Sequence, residues 1–286
     1  MACYYFRTLY LQVANVQLDK IIIALRQRTP WEAMDLGVMV MRKLWPVILF
    51  PWFILMSSVL AFVLFAEFQG YWYFASFFMW GIKPVYESMI LYILSRGIFG
   101  EYLNTANVFS SAGKWLKTGI LTTILFWRLS PSRSFNMPVN LLEGLSGAKR
   151  KQRLESLHRV AGSHSTGLTI IGIHFEYVVA MALYVLLFFI APDSTTEFFS
   201  SMIDAPNDLT KWFVIGSVVY AITLFVLEPF YVASGFMLYL NRRTQLEAWD
   251  VELDFKKLAQ RIDEHQIYSN QNKMKRKKPA MEIEHD

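Results

Sequence analysis

Five ionisable side chains fall inside apolar stretches, where an unpaired charge is costly: Lys83, Glu87, His174, Glu176 and Glu228. Glu228 lies in the longest apolar run, residues 212–240, which is long enough to cross a bilayer. Its segment, Glu228-Pro229-Phe230-Tyr231, has the same order of charge, proline, one residue and tyrosine as Lys83-Pro84-Val85-Tyr86, with the charge reversed. Counting from the boundaries at Arg96 and Asn241, Lys83 and Glu228 each lie about 13 residues in, or ~20 Å at helical rise. They are therefore expected to be level and to pair. Glu87 is one helical turn from Lys83 on the same face. His174 and Glu176 enter from another segment at ~10 to 14 Å, near the level of Glu87.

One lysine cannot neutralise three carboxylates. The surplus must be protonated, reach an arginine or water at the rim, or bind a cation. The prolines after Lys83 and Glu228 are expected to break their helices and to free the carbonyls of Trp80 and Phe225, which would then line a polar cavity. Two uses of the cluster follow: a buried pair that locks helices in register, or a route for a small ion, proton or lipid headgroup. Catalysis finds less support. His174 and Glu176 are two residues apart and so on different helix faces. No HExxH, GxSxG, paired aspartates or glycine-rich phosphate loop accompanies them. No catalytic residue, metal site or cofactor is assigned. The stretch Ser130-Pro131-Ser132-Arg133-Ser134-Phe135 resembles a phosphate-handling loop only in composition and is expected to be a capped turn.

Composition sets the elements that must position these groups. The chain has 286 residues, 54% of them hydrophobic and only 18% charged, with apolar runs that a soluble domain would struggle to bury. An all-α, polytopic membrane protein is expected, with four transmembrane helices in two hairpins and cytoplasmic interfacial amphipathic helices. Residues 1–43 are assigned to N-terminal cytoplasmic interfacial helices, one starting with Thr29 as cap, Pro30 in the first turn and Glu32 reaching back to the cap. Residues 44–94 form the first hairpin, with spans 44–66 and 71–94 around a turn at 67–70. Residues 95–166 form a cytoplasmic region whose apolar piece, 115–127, is too short to span and is assigned as an in-plane or re-entrant helix. Residues 168–240 form the second hairpin. Residues 241–286 carry an amphipathic helix, opening with a threonine cap at Thr244, and a basic tail.

A net charge of +5 and a pI near 9.1 would point to nucleic acid in a soluble chain. Here the basic residues flank apolar spans, so orientation in the membrane is the expected role and nucleic-acid binding is not. Six lysines and arginines precede residue 44, ten lie in the middle region and ten follow Leu240, while the two opposite loops hold only Lys211. Both termini are thereby expected in the cytoplasm. The single cysteine, Cys3, leaves no internal disulfide, and no removable signal peptide is read at the start. On the C-terminal segment, Leu246, Trp249, Val251, Phe255, Leu258 and Ile262 form an apolar stripe expected to meet the membrane or a partner. The run Lys273-Met274-Lys275-Arg276-Lys277-Lys278 could bind anionic headgroups.

Residues 228–253, 28–36 and 127–135 resemble a largely uncharacterised family of proteobacterial multi-span inner-membrane proteins. The likeness includes the run Thr244-Gln245-Leu246-Glu247-Ala248-Trp249-Asp250-Val251 and extends over most of the chain. It implies a bacterial inner-membrane location and an envelope gene neighbourhood with a MoxR-type ATPase and other small membrane proteins. It carries over no catalytic residues. The expected function is a non-catalytic scaffold or subunit of an envelope complex. The alternative is a small transporter, ion pathway or lipid flippase using the Lys83/Glu87/His174/Glu176/Glu228 cluster.

Overall fold

A computed structural model describes residues 26–116, 130–190 and 210–247, and every regular element among them is helical. The described residues divide into two compact units, 28–242 in one and 26–27 with 243–247 in the other. In the second, Arg243 pairs with Glu247 one turn on, at 2.8 Å.

Helix α1, Pro30–Phe68, starts as its sequence dictates. Thr29 is extended and its hydroxyl accepts from the Glu32 N–H at 3.3 Å, while Pro30 fills the first position, where no N–H is needed. The Glu32 carboxylate faces Arg28 at 3.5 Å rather than the cap backbone. The helix then runs without interruption past Pro46 and Pro51, so no boundary falls between an interfacial helix and a span at residue 43. It ends at Phe68 and the chain turns away at Gly70, whose φ of 85° suits glycine, with the Tyr71 N–H bonded to the Ala66 carbonyl at 2.9 Å. Glu67 thus lies in the last helical turn, not in the loop.

The second apolar stretch is two helices, α2 (Trp72–Gly81) and α3 (Lys83–Ile98), divided at Ile82. Pro84 has no N–H, and its ring crowds the carbonyl one turn back. The Val85 N–H bonds to the Ile82 carbonyl instead, at 2.8 Å, and restarts the ladder. Neither piece alone has the ~20 residues needed to span hydrocarbon. Short helices α4 (Thr105–Ser110) and α5 (Ala112–Trp115) follow, with the buried Trp115 indole donating to the Val108 carbonyl at 3.0 Å. Most of the expected in-plane helix lies outside the described residues.

Helix α6, Arg133–Leu141, leads to α7, Gly147–Ile190, a single helix of 44 residues. At 1.5 Å per residue that is ~66 Å, so it runs through the expected boundary at 167 unbroken. Its buried residues, Leu157, Ala161, Ser165 and Thr169, are four apart and make one stripe on its first half. Helix α8, Thr210–Glu247, is also continuous. Two expectations fail on it. Pro229 does not break it, and Thr244 does not open a new helix but lies inside this one, buried. Nothing between Leu240 and Glu247 interrupts the ladder, so no cap is required. Among the described residues, three helices, α1, α7 and α8, are long and apolar enough to span a membrane; the broken α2–α3 pair stands where a fourth was expected.

Close backbone approach sets the packing. A Cβ on Gly37 of α1 would lie 2.5 Å from the Ser234 Cα and 2.7 Å from the Ala233 carbonyl of α8. On the far side of the same turn, a Cβ on Gly235 would overlap Ser134 of α6. Glycine lets α1 and α6 press against α8 from two sides. The Ser234 hydroxyl also donates to the Met34 carbonyl at 3.1 Å. The core between the helices includes Met41, Leu44, Ile48, Trp52, Phe236 and Tyr239, all fully buried or nearly so.

Candidate functional site

The helix break puts Lys83 at the first residue of α3, where the unpaired N–H groups carry partial positive charge and favour nearby carboxylates. Two arrive. Lys83 Nζ lies 2.9 Å from Glu228 Oε2 of α8 and donates a short hydrogen bond to Glu176 Oε1 of α7. The contact with Glu228 is one of proximity: it lacks hydrogen-bond alignment, and Glu228 Oε1 accepts from no described residue. Lys83 and Glu228 are 2% and 1% exposed. Glu176 keeps 19% of its side chain accessible.

One turn along α3, the fully buried Glu87 is held by Arg133, the first residue of α6. The guanidinium Nε lies 2.6 Å from each carboxylate oxygen, and Nη2 adds a further contact to Oε1. Such charge-assisted, multiply bonded pairs are the strong ones. The Arg133 guanidinium also lies 5.8 Å from the centre of the Tyr231 ring, and the Tyr231 hydroxyl shares a 2.9 Å bond with Thr169. Ser132 makes no capping bond at the start of α6; it accepts instead from Ser165 of α7 at 2.8 Å and lies 3.2 Å from Thr166. The serine-rich stretch is therefore not the expected capped turn. It delivers Arg133 to the cluster, and the glycine at 235 gives it room.

The site thus gathers Lys83, Glu87, Glu176 and Glu228, and adds Arg133. It does not gather His174, which is exposed, with Nδ1 2.8 Å from the Ile170 carbonyl of its own helix. Two residues of helix turn it about 200° from Glu176. Of the expected partner stripe, Leu246 is described and is 41% exposed; Trp249, Val251, Phe255, Leu258 and Ile262 lie outside the described residues.

Pro229 leaves the Phe225 carbonyl without its helical partner, but the Trp52 indole of α1 donates to that oxygen at 3.0 Å. The same ring stacks on Phe225 at 6.1 Å and meets Tyr86 edge-on at 5.3 Å. The carbonyl expected to line a polar cavity is therefore sealed by an aromatic clamp. A cavity does exist elsewhere, between α2 and the first turns of α8: about 300 Å³, lined by residues that include Ser76, Met79, Gly216, Ser217 and Tyr220. Behind Ser217 lies Glu67, fully buried, accepting from the Ser217 hydroxyl at 2.6 Å through Oε1. A second polar set fastens α6 and the residues just after it to α7 and α8. Glu143 takes Arg153 at 2.9 Å and the Tyr239 hydroxyl at 2.6 Å, and Arg150 reaches Asn140 at 2.6 Å.

Sequence reasoning left Arg133, Glu67 and Trp52 unassigned. For Arg133 one signal was present: three carboxylates against one lysine demand a second cation. No protein-family model, curated protein or solved structure matches this chain.

Proposed function

We propose that this chain is a non-catalytic, multi-pass subunit of the bacterial inner membrane, with both termini in the cytoplasm, that scaffolds an envelope complex. The observation that supports this best is how the buried charges are used. Lys83 and Arg133 are spent on carboxylates from α3, α7 and α8, so the cluster binds four helices to one another. A buried ionic network of this kind sets register and partner choice among helices more than it adds stability. Surfaces for neighbours are ample: Trp31 and Met39 on α1 are 57% and 58% exposed. None of the most apolar stretch of α7 is buried, against 33% in α1 and 39% in α8. The partners proposed are membrane lipid, other inner-membrane proteins and, by resemblance, a MoxR-type ATPase.

A second reading, a small transporter, ion pathway or lipid flippase, is favoured by one feature, the cavity beside α2 and α8 whose wall includes Tyr220. A mild-detergent pull-down with mass spectrometry separates the two. Copurifying ATPase or membrane subunits are expected for the scaffold; a lone protein carrying bound lipid would overturn it in favour of transport.

A further inference from the structure

We propose that Glu228 holds an exchangeable proton at neutral pH, and that this proton comes and goes through the cavity between α2 and α8. The inference stands apart from the scaffold reading and holds whether or not a partner binds.

The charges facing Glu228 can be counted element by element. Lys83 and Glu87 of α3 and Arg133 of α6 act on Glu228 directly, with the neutral Tyr86 of α3 in range; Glu176 of α7 and Tyr220 of α8 reach it through Lys83, and Tyr231 of α8 through Arg133. α1 contributes the uncharged Trp52. Among the described residues, three carboxylates thus face two cations. Glu87 takes the hydrogen bonds from Arg133 Nε, whose charge also reaches Glu228, and Glu176 has the hydrogen bond from Lys83 together with partial access to the surface. Glu228 is left with the least: it is 1% exposed, its Oε2 is near Lys83 without hydrogen-bond alignment, and its Oε1 accepts from no described residue. A buried carboxylate with neither solvent nor donors is stabilised by taking a proton, and one proton makes the charges of the cluster balance. The Glu87 carboxylate lies in side-chain hydrogen-bond range of Glu228 and can accept from its acid form, and the Tyr86 hydroxyl, fully buried and without a hydrogen-bond partner among the described residues, lies in electrostatic range of it.

A route to this proton is at hand. Tyr220 lines the cavity and lies within electrostatic range of Lys83 and Tyr86. At roughly 30 Å³ per water, the cavity of about 300 Å³ can hold a short file of water molecules, with the hydroxyls of Ser76, Ser217 and Tyr220 to anchor them.

The test is infrared spectroscopy of the full chain in lipid vesicles, reading the carbonyl stretch of a protonated carboxylic acid. The expected result is one such band at neutral pH that shifts in deuterium oxide and is lost in Glu228→Gln. Glu176→Gln should also lose it, because two carboxylates then balance two cations and Glu228 ionises. Gly216→Leu, which fills the cavity wall where a Cβ meets only the Tyr184 hydroxyl at 3.6 Å, should slow the deuterium shift at least tenfold. Absence of the band in the unmodified chain overturns the proposal. So does a band that survives Glu228→Gln but disappears in Glu67→Gln, which would put the proton on the other buried carboxylate. A shift as fast in Gly216→Leu as in the unmodified chain overturns the cavity route.

Discussion

Lys83 serves two carboxylates at once, and this changes what its removal does. In Lys83→Met, Glu176 loses the cation that donates to it, and breaking a buried pair in this way costs about 3–5 kcal/mol. Unfolding in mild detergent should show that loss. The compensating change is Glu176→Gln, the carboxylate that accepts the lysine's hydrogen bond. Lys83→Met with Glu176→Gln should recover most of the stability, whereas Lys83→Met with Glu228→Gln should not, since the Glu176 carboxylate would keep no cation beside it. Equal recovery by the two double variants would refute the assignment. The contact between Lys83 and Glu228 could be read from two matched counts of residues to the ends of their apolar runs. Arg133 could not, because it is one of ten basic residues in the middle region and nothing in its immediate sequence sets it apart.

At the level of the helices, two prolines in the same sequence pattern behave differently. Pro84 divides α2 from α3, while Pro229 sits in an unbroken α8. The difference lies in what each meets: the carbonyl released by Pro229 is taken by the Trp52 indole, from a residue 173 positions away. Trp52→Phe keeps most of the stacking and removes the donor, and an unsatisfied buried carbonyl should cost about 1–3 kcal/mol. In a Pro229→Ala background the alanine N–H restores the helical bond, so the same Trp52→Phe change should cost markedly less. A double-mutant cycle in detergent measures the difference, and additive effects would rule out the clamp. Local sequence cannot foretell such a contact, since a tryptophan in an apolar run looks the same whether it faces lipid or a distant carbonyl. Helix ends were hard to read for a related reason. Thr29 and Thr244 each precede a glutamate by three residues, but only Thr29 is extended and stands where a helix begins; inside a continuing ladder the same pattern caps nothing.

For the molecule as a whole, the helical class and the apolar character were legible from composition, because long runs without charge leave few other solutions. The lengths were not. α7 and α8 extend well beyond their apolar portions, carried through polar sequence by residues that have no reason to stop. The interruption at Ile82 has a further consequence for how the chain is made. A ribosome delivers residues 72–98 long before it delivers Glu176, 93 positions after Lys83. Until then the nascent segment offers the insertion machinery a ten-residue helix, a lysine and a proline, a weak signal for leaving the translocon. We expect it to commit to lipid late, when the acidic helices emerge. Stalled chains ending before residue 176 should leave a cysteine placed at Val85 reactive to a membrane-impermeant thiol reagent, and chains ending after residue 247 should shield it; early shielding would mean that this segment needs no help from the helices that follow.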